Sequence, residues 1–425
     1  MSVSTASGPR IRTRPEHPIS RQNIESDALK VLYRLHNARF KGYLVGGAVR
    51  DLMLERRPKD FDVSTDARPQ QIRRLFRNSR IIGRRFRLAH VFFHDGIVEV
   101  STFRRNPDPE AQAGAPGDRL ITDDNAFGTP EEDAFRRDFT VNALFYNIGD
   151  YSVIDYVGGI EDLEHRLIRA IGDPEIRFKE DPVRMLRACE IAGRLDFDIE
   201  EKTAAAASSC RREIERASPA RMAEEIAQLL RSGSATPALR LALDRGLLEV
   251  FLPEAGILLA RGGSVPTDFA AVLPAIDRLV GDNHQLSDAA LLAALLLPGV
   301  LLQRREMEQA RGRPLGREKL RKLVTAVVDP FLLRFRISKA KSDQVHQAIA
   351  AFHRLGESWR SAADRVRFAG HPGFDDALAL LEILVEATGE GGEDLAMWQR
   401  VGEHRPKRRE RPTRRTRPRR RRRRR

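Results

Sequence analysis

The sequence predicts an α+β protein in which a mixed sheet with helices comes first and an all-helical region follows. Three observations carry this. Between residues 42 and 156, short apolar runs with strand-like alternation are separated by Gly, Asp and Pro turns. From Leu163 onward the apolar residues recur at helical spacing. Asp-Pro, Ser-Pro and Thr-Pro pairs open several of these later segments, as N-caps followed by proline at the first helical position. At 425 residues, with 41% hydrophobic content, the chain is long enough for two or three domains. The boundaries read as a flexible N-terminal tail (1–22), a head (23–172), a helical neck (173–250), a helical body (251–400) and a disordered Arg-rich tail (401–425).

The formal charge of +14 is concentrated at one end. Residues Arg405 to Arg425 hold 14 Arg, one Lys and one Glu, or 15 − 1 = +14, so the other 404 residues net to zero. Such a run cannot fold alone; it is either a solvated tail or an electrostatic arm for RNA. Cys189 and Cys210 match no metal or redox spacing, which predicts a reduced, cytoplasmic protein. The longest apolar run, Ala289 to Leu302, is interrupted by Pro298-Gly299 and is shorter than a membrane span of about 20 residues, so no transmembrane segment is predicted.

An amphipathic helix spans Ile24 to Phe40. A strand (Tyr43 to Val45), a Gly46-Gly47 turn, a helix (Ala48 to Leu54) and a second strand carrying Asp60 and Asp62 follow. Alternation along that strand points both carboxylates one way and sends Phe61 and Val63 into the core. Paired carboxylates suit Mg²⁺, and a glycine turn opening a helix suits phosphate, so the stretch points to metal-dependent chemistry on a nucleotide. After a helix (Gln70 to Phe76) come the segment Ile81 to His90 and two runs joined at Asp95-Gly96, a hairpin signal. Glu99 in its second strand is either a third metal carboxylate or an exposed glutamate on an edge strand. Residues 104–128 form a long loop. Asp138 and Asn142 are spaced to share a helix face, with an N-cap as the plainer role for Asp138. A second hairpin spans Tyr146 to Tyr156. Asp173-Pro174 and Asp181-Pro182 start helices, the second carrying Arg184, Arg187 and Arg194, and body helices are expected near 268–281, 287–297, 317–327, 342–355 and 375–387.

The order Gly46-Gly47-Ala48-Val49-Arg50-Asp51, Asp60-Phe61-Asp62, Arg136-Arg137-Asp138-Phe139-Thr140, Glu180-Asp181-Pro182-Val183-Arg184 resembles the bacterial (class II) branch of the polymerase-β-like nucleotidyltransferases. That branch holds poly(A) polymerases and tRNA CCA-adding enzymes. The resemblance implies a polymerase-β-like head and catalytic roles for Asp60, Asp62 and Asp138. It gives two Mg²⁺ ions, with Mn²⁺ as a substitute, to Asp60 and Asp62, and Glu99 joins them if it is a ligand. It makes Gly46, Gly47, Arg50, Arg137, Asn142 and Arg187 nucleotide-binding residues, with Asp181 and Arg184 reading the base. A carboxylate accepts and a guanidinium donates, so an Asp/Arg pair admits ATP and CTP and rejects GTP and UTP. The pattern Ile81-Ile82-Gly83-Arg84-Arg85-Phe86 through His90 resembles the poly(A) polymerases of the branch, with Arg84 and Arg85 as RNA contacts beside the Arg405 to Arg425 tail. The expected activity is template-independent addition of AMP from ATP to RNA 3′ ends (mRNA, regulatory RNA, decay fragments), promoting RNA turnover, by a monomer with RNA-decay factors as further partners. The alternatives are a CCA-adding tRNA nucleotidyltransferase and a non-catalytic RNA-binding protein.

Overall fold

The computed structural model describes residues 8–83, 87–94, 96–105, 126–253 and 269–405. They form two compact units: Met1–Ser264 with Ile276–His284 and Leu333–Arg336, and Val265–Ala275 with Gln285–Leu332 and Ile337–Arg425.

The first unit is built on an eight-stranded sheet. In chain order its elements are β1 (Arg10–Arg12), α1 (Ser26–Asn37), β2 (Gly42–Val45), α2 (Gly47–Met53), β3 (Asp62–Thr65), α3 (Pro69–Leu75), β4 (Ser79–Ile82), β5 (Leu88–Phe92), β6 (Ile97–Thr102), α4 (Pro130–Phe135), β7 (Leu144–Asn147) and β8 (Val153–Asp155). There follow α5 (Gly159–Glu164), β9 (Leu167–Ile168), α6 (Pro174–Glu180), α7 (Val183–Leu195), β10 (Asp198–Ile199), α8 (Glu201–Ser209), α9 (Pro219–Leu230) and α10 (Ala235–Asp244). The large sheet runs β1-β8-β7-β2-β3-β6-β5-β4, and only β3 and β6 pair in parallel. One face is closed by α1 and α3: Val31, Leu32, Leu35 and Ile72 pack with Leu44, Val63, Val91 and Val100 in one buried cluster. The other face carries a smaller cluster of Val45, Phe103, Ala134, Phe145 and Ile154. Alternation along the strands divides the residues between these faces, as the sequence pattern predicts.

Three expectations are corrected. Residues from Arg10 to Gln22 are not a flexible tail: Arg10–Arg12 pairs antiparallel with β8, Ile19 is fully buried, and the His17 ring donates to the Tyr151 carbonyl at 2.8 Å. An edge strand offers unpaired backbone groups, which a short polar segment can satisfy without an apolar pattern of its own. Asp60 does not share a strand with Asp62; β3 begins at Asp62 and Asp60 precedes it. Pro298-Gly299 does not interrupt the apolar run, because one helix, Asp288–Arg311, continues through a buried Pro298. Burial of Ala289–Pro298 on all sides outweighs the hydrogen bond that proline removes.

In the neck, α7 packs against α10 so closely that a Cβ at Gly193 would lie 2.6 Å from the Ala238 amide nitrogen. The second unit is helical, with its core in Trp398, Phe368, Phe374 and Ala377 and with Trp359 set edge-on to Trp398. No helix among the described residues is long and apolar enough to cross a membrane. Both cysteines are buried thiols.

Ile19→Ala, at a site a loose tail would leave indifferent, is expected to cost about 3 kcal/mol of stability, the usual range for emptying a buried aliphatic site. A denaturant midpoint unchanged from wild type would contradict the ordered N-terminal segment.

Candidate active site

The site begins where β2 ends. Val45 lies opposite Asp62 in the antiparallel β2–β3 pair, and the parallel β3–β6 register, Val63 with Val100, sets Asp62 beside Glu99 on the same face. Asp60 and Asp62 are exposed, and neither side chain has a hydrogen-bond or ion-pair partner among the described residues. Asp62 nonetheless sits against a wall of protein atoms. That crowding, then Glu99 and, against the pull of Arg137, Asp60, pushes its carboxyl up to about 6. Glu99 accepts from the His90 ring at 2.9 Å. Among the described residues no three His, Cys, Asp or Glu are already gathered into a metal cluster.

Beyond Asp62 the same face turns basic. Gly46 adopts φ +71°, a left-handed value that favours glycine, and the Arg137 guanidinium lies against it, 3.4 Å from where a Cβ would stand. Arg137 donates to Asp133 at 3.0 Å and to Ser64 at 3.4 Å and lies over the Phe145 ring. Buried Asp133 also accepts from the Arg104 amide and pairs with Arg136. Arg177 donates to the Arg136 and Arg137 carbonyls at 2.6 and 2.7 Å. The Arg136 guanidinium is held well below the ordinary range by burial and by Arg104, Arg137, Arg184 and Arg177 around it. Five guanidiniums thus crowd together with few counter-charges, an environment an anion would relieve. Since α2 is only seven residues long, these side chains rather than its N-terminus dominate the local field.

Asp138 and Asn142 do not share a helix, because Asp138 precedes a single 3₁₀ turn, Thr140–Asn142. Asn142 still donates to Asp138 at 3.1 Å. Arg50 is buried and faces inward: it donates to Asn142 at 2.5 Å and to Asp51 at 2.8 Å. Arg194 donates to the other Asp51 oxygen at 3.3 Å, and Arg187 donates to Asp138 at 2.9 Å. Arg187 and Arg194 lie two turns apart on one face of α7, so the contacts close into a ring joining the head to the neck. Burial pushes the Asp138 carboxyl up, but the Arg187 charge and the Asn142 amide outweigh it and hold it well below the usual range.

Asp181, expected as an N-cap, is instead gripped at both oxygens by Arg221 of α9, at 2.6 and 2.8 Å. Arg184 donates to the Arg136 carbonyl at 3.3 Å, while its buried Nη1 makes no hydrogen bond. Burial first, and then Arg177, pushes Arg184 down to about 10. Arg84, Arg85 and residues 406–425 lie outside the described residues; Arg405 pairs with Asp375.

The Poly A polymerase head domain family matches residues 42–169, and the family described as the probable RNA and SrmB-binding site of polymerase A matches 196–258. The chain is similar to the poly(A) polymerase I of Haemophilus influenzae, 35% identical over 389 residues, 89% of this chain and 85% of that protein. The CCA-adding enzyme of Lactobacillus delbrueckii is 30% identical over 361 residues, 85% and 80% of the two chains. The chain belongs to the poly(A) polymerase and CCA-adding enzyme family. Within this family, the poly(A) polymerase I of Salmonella typhimurium is 42% identical over 307 residues, and the chain spans 66% of that relative's length. A solved Bacillus stearothermophilus CCA-adding enzyme in complex with CTP shares the fold at TM-score 0.57 and 23% identity, covering 89% of this chain and 82% of that one.

Sequence reasoning missed Asp133, Arg177 and Arg221, and it named Asp51 and Arg194 without giving either a role. Asp133 stands in the acidic run before Arg136-Arg137, a signal that could have marked it. Arg177, Arg194 and Arg221 make their contacts across 40 or more residues and leave no local pattern.

Arg187→Met is expected to cost about 3 kcal/mol near neutral pH by leaving the Asp138 carboxylate buried without its cation. The sign of its pH dependence follows from the depressed Asp138 carboxyl. Wild type gains stability above the unfolded carboxyl's range of about 4, and the variant loses that gain, so the difference shrinks as pH falls below 4. Denaturant melts at pH 3 and 7 that gave equal losses would refute the pairing.

Proposed function

We propose that the protein is a template-independent poly(A) polymerase, transferring AMP from ATP to an RNA 3′-hydroxyl with release of pyrophosphate. The observation that carries this is the two-signed site: the Asp60 and Asp62 carboxylates, without partners among the described residues, at the start of β3, and a crowd of arginines beside them. The donor set fits a hard divalent cation, because Asp60, Asp62 and Glu99 offer oxygen alone and Asp62 is raised by burial and then by its acidic neighbours. Asp60 and Asp62 would hold the metal with Glu99 alongside, substrate phosphates completing the shell. When bound, the metal lowers the pKa of the attacking hydroxyl and neutralises triphosphate charge.

The chain's own residues supply orientation. The Gly46-Gly47 turn lets the triphosphate approach the backbone, and Arg137 meets it with a positive charge braced by Asp133. Arg50, Asn142 and Arg187, expected as direct nucleotide contacts, instead act through the ring that holds Asp138. Asp138 keeps its charge through Arg187 and stays available to position the sugar and the acceptor. Arg184 donates to a ring nitrogen of the base, whereas Asp181 is committed to Arg221, so the base is read from one side.

A CCA-adding activity is the second reading, favoured by the 30% identity to the Lactobacillus delbrueckii enzyme across most of both chains. The deciding experiment supplies Mg²⁺, a generic RNA and each nucleotide singly. Long tails from ATP alone are expected; a product that stops after three nucleotides on tRNA with CTP and ATP would replace this reading with the second.

Metal binding should also follow Asp62. Protons compete with the cation for a carboxyl that titrates at about 6, so Mn²⁺ affinity measured calorimetrically is expected to weaken as pH drops through 6, and Asp62→Asn to lower incorporation to background. Full incorporation by Asp62→Asn would remove the metal assignment.

A further inference from the structure

The sheet face that carries Asp62 continues past it across β6, β5 and β4. The registers Val63–Val100, His90–Glu99, Phe92–Ile97 and Arg80–His90 align Glu99 and Ile97, His90 and Phe92, and then Arg80 on that face. The opposite-facing Ala89, Val91, Val98 and Val100 are buried in the main core. On the Asp62 side the buried cluster around Val45 and Phe103 does not take in the outward-facing residues of β6, β5 and β4 among the described residues: Ile97 is 52% exposed and Phe92 42%, and Arg80 is exposed with no partner among the described residues. The His90 ring stands edge-on to Phe92 at 6.3 Å while its nitrogen holds Glu99.

We infer that this half-sheet, with Phe92 at its centre, is a stacking platform for the 3′-terminal bases of the acceptor RNA. Three features select a single strand of nucleic acid over a protein partner. The exposed group is aromatic and backed by an imidazole edge, the surface on which unpaired bases stack irrespective of sequence. Arg80 places a cation at its border, where a phosphate would run. The platform is continuous with the proposed metal carboxylates. With strands about 4.8 Å apart and residues about 3.4 Å along a strand, Phe92 lies on the order of 10 Å from Asp62, one or two nucleotides back from the reacting end. A sequence-tolerant stack also suits an enzyme whose product is the next substrate, because each added base presents the same kind of face to Phe92.

The inference rests on RNA being the acceptor, and the test separates the two. RNA with 2-aminopurine as its penultimate base is bound to the whole protein with Ca²⁺ and no nucleotide. Wild type should quench its fluorescence; Phe92→Ala should lose the quench and raise the KM for RNA about tenfold, the order of one lost base–aromatic stack, while the KM for ATP stays. Phe92→Trp should restore both, and Phe92→Leu, which keeps an apolar side chain, should not. Arg80→Gln should lower the slope of log affinity against log salt by about one. Equal quenching and equal KM for RNA in wild type and Phe92→Ala overturns the platform, as does full function in Phe92→Leu. Failure of wild type to incorporate any nucleotide sinks the polymerase reading itself, a result distinct from either.

Discussion

Asp138 is the charge on which the rest of the site depends. A carboxylate in so enclosed a place stays ionised only because Arg187 reaches it from the neck and Asn142 reaches it from the next turn. Asn142 is in turn fixed by Arg50, Arg50 by Asp51, and Asp51 by Arg194, which returns to the helix that carries Arg187. Each member is satisfied by the next, so none can be removed without leaving a buried polar group exposed to the low dielectric around it. The consequence is positional. Arg184 sits on the same helix, so the ring that holds Asp138 also sets where Arg184 stands relative to the Gly46-Gly47 turn.

The second constraint is charge separation. Acidic groups gather at the β3–β6 edge and arginines gather around Arg136, and each cluster is internally repulsive. A lone anion would relieve one and a lone cation the other. A metal–nucleotide complex carries both signs in one body and would relieve the two together, so a region with no net charge can still offer strong local fields of both signs. The field that matters is the local one.

What the sequence made legible was local. Alternation found the strands of the head, the Asp95-Gly96 signal lay between β5 and β6, and helical spacing found α7 and the body helices. Asp173-Pro174 was read as an N-cap, and Asp173 does accept from Glu175 and Ile176. What stayed hidden was long-range. Asp181 carries the same Asp-Pro signature, yet Arg221, 40 residues away, takes both of its oxygens. The segment from Arg10 to Ile19 has no strand pattern, and its order comes from the β8 edge it completes. Proline at 298 reads as a break because the rule concerns exposed backbone, whereas here the flanking leucines are buried on every side.

The grip of Arg221 on Asp181 bears on what an Asp/Arg pair in this position can present to a base. A mobile Asp/Arg pair can present an acceptor and a donor to adenine or to cytosine by small shifts, since both bases show an amino group beside a ring nitrogen. A bidentate ion pair removes that freedom, because turning the carboxylate toward a base would forfeit two charge-assisted hydrogen bonds at once. The pocket then offers a donor at Arg184 in one fixed place, and a fixed donor suits bases of one size. An arginine from a different helix therefore decides whether the Asp181 carboxylate is available as an acceptor, a constraint that the Asp-Pro-Val-Arg motif by itself does not reveal.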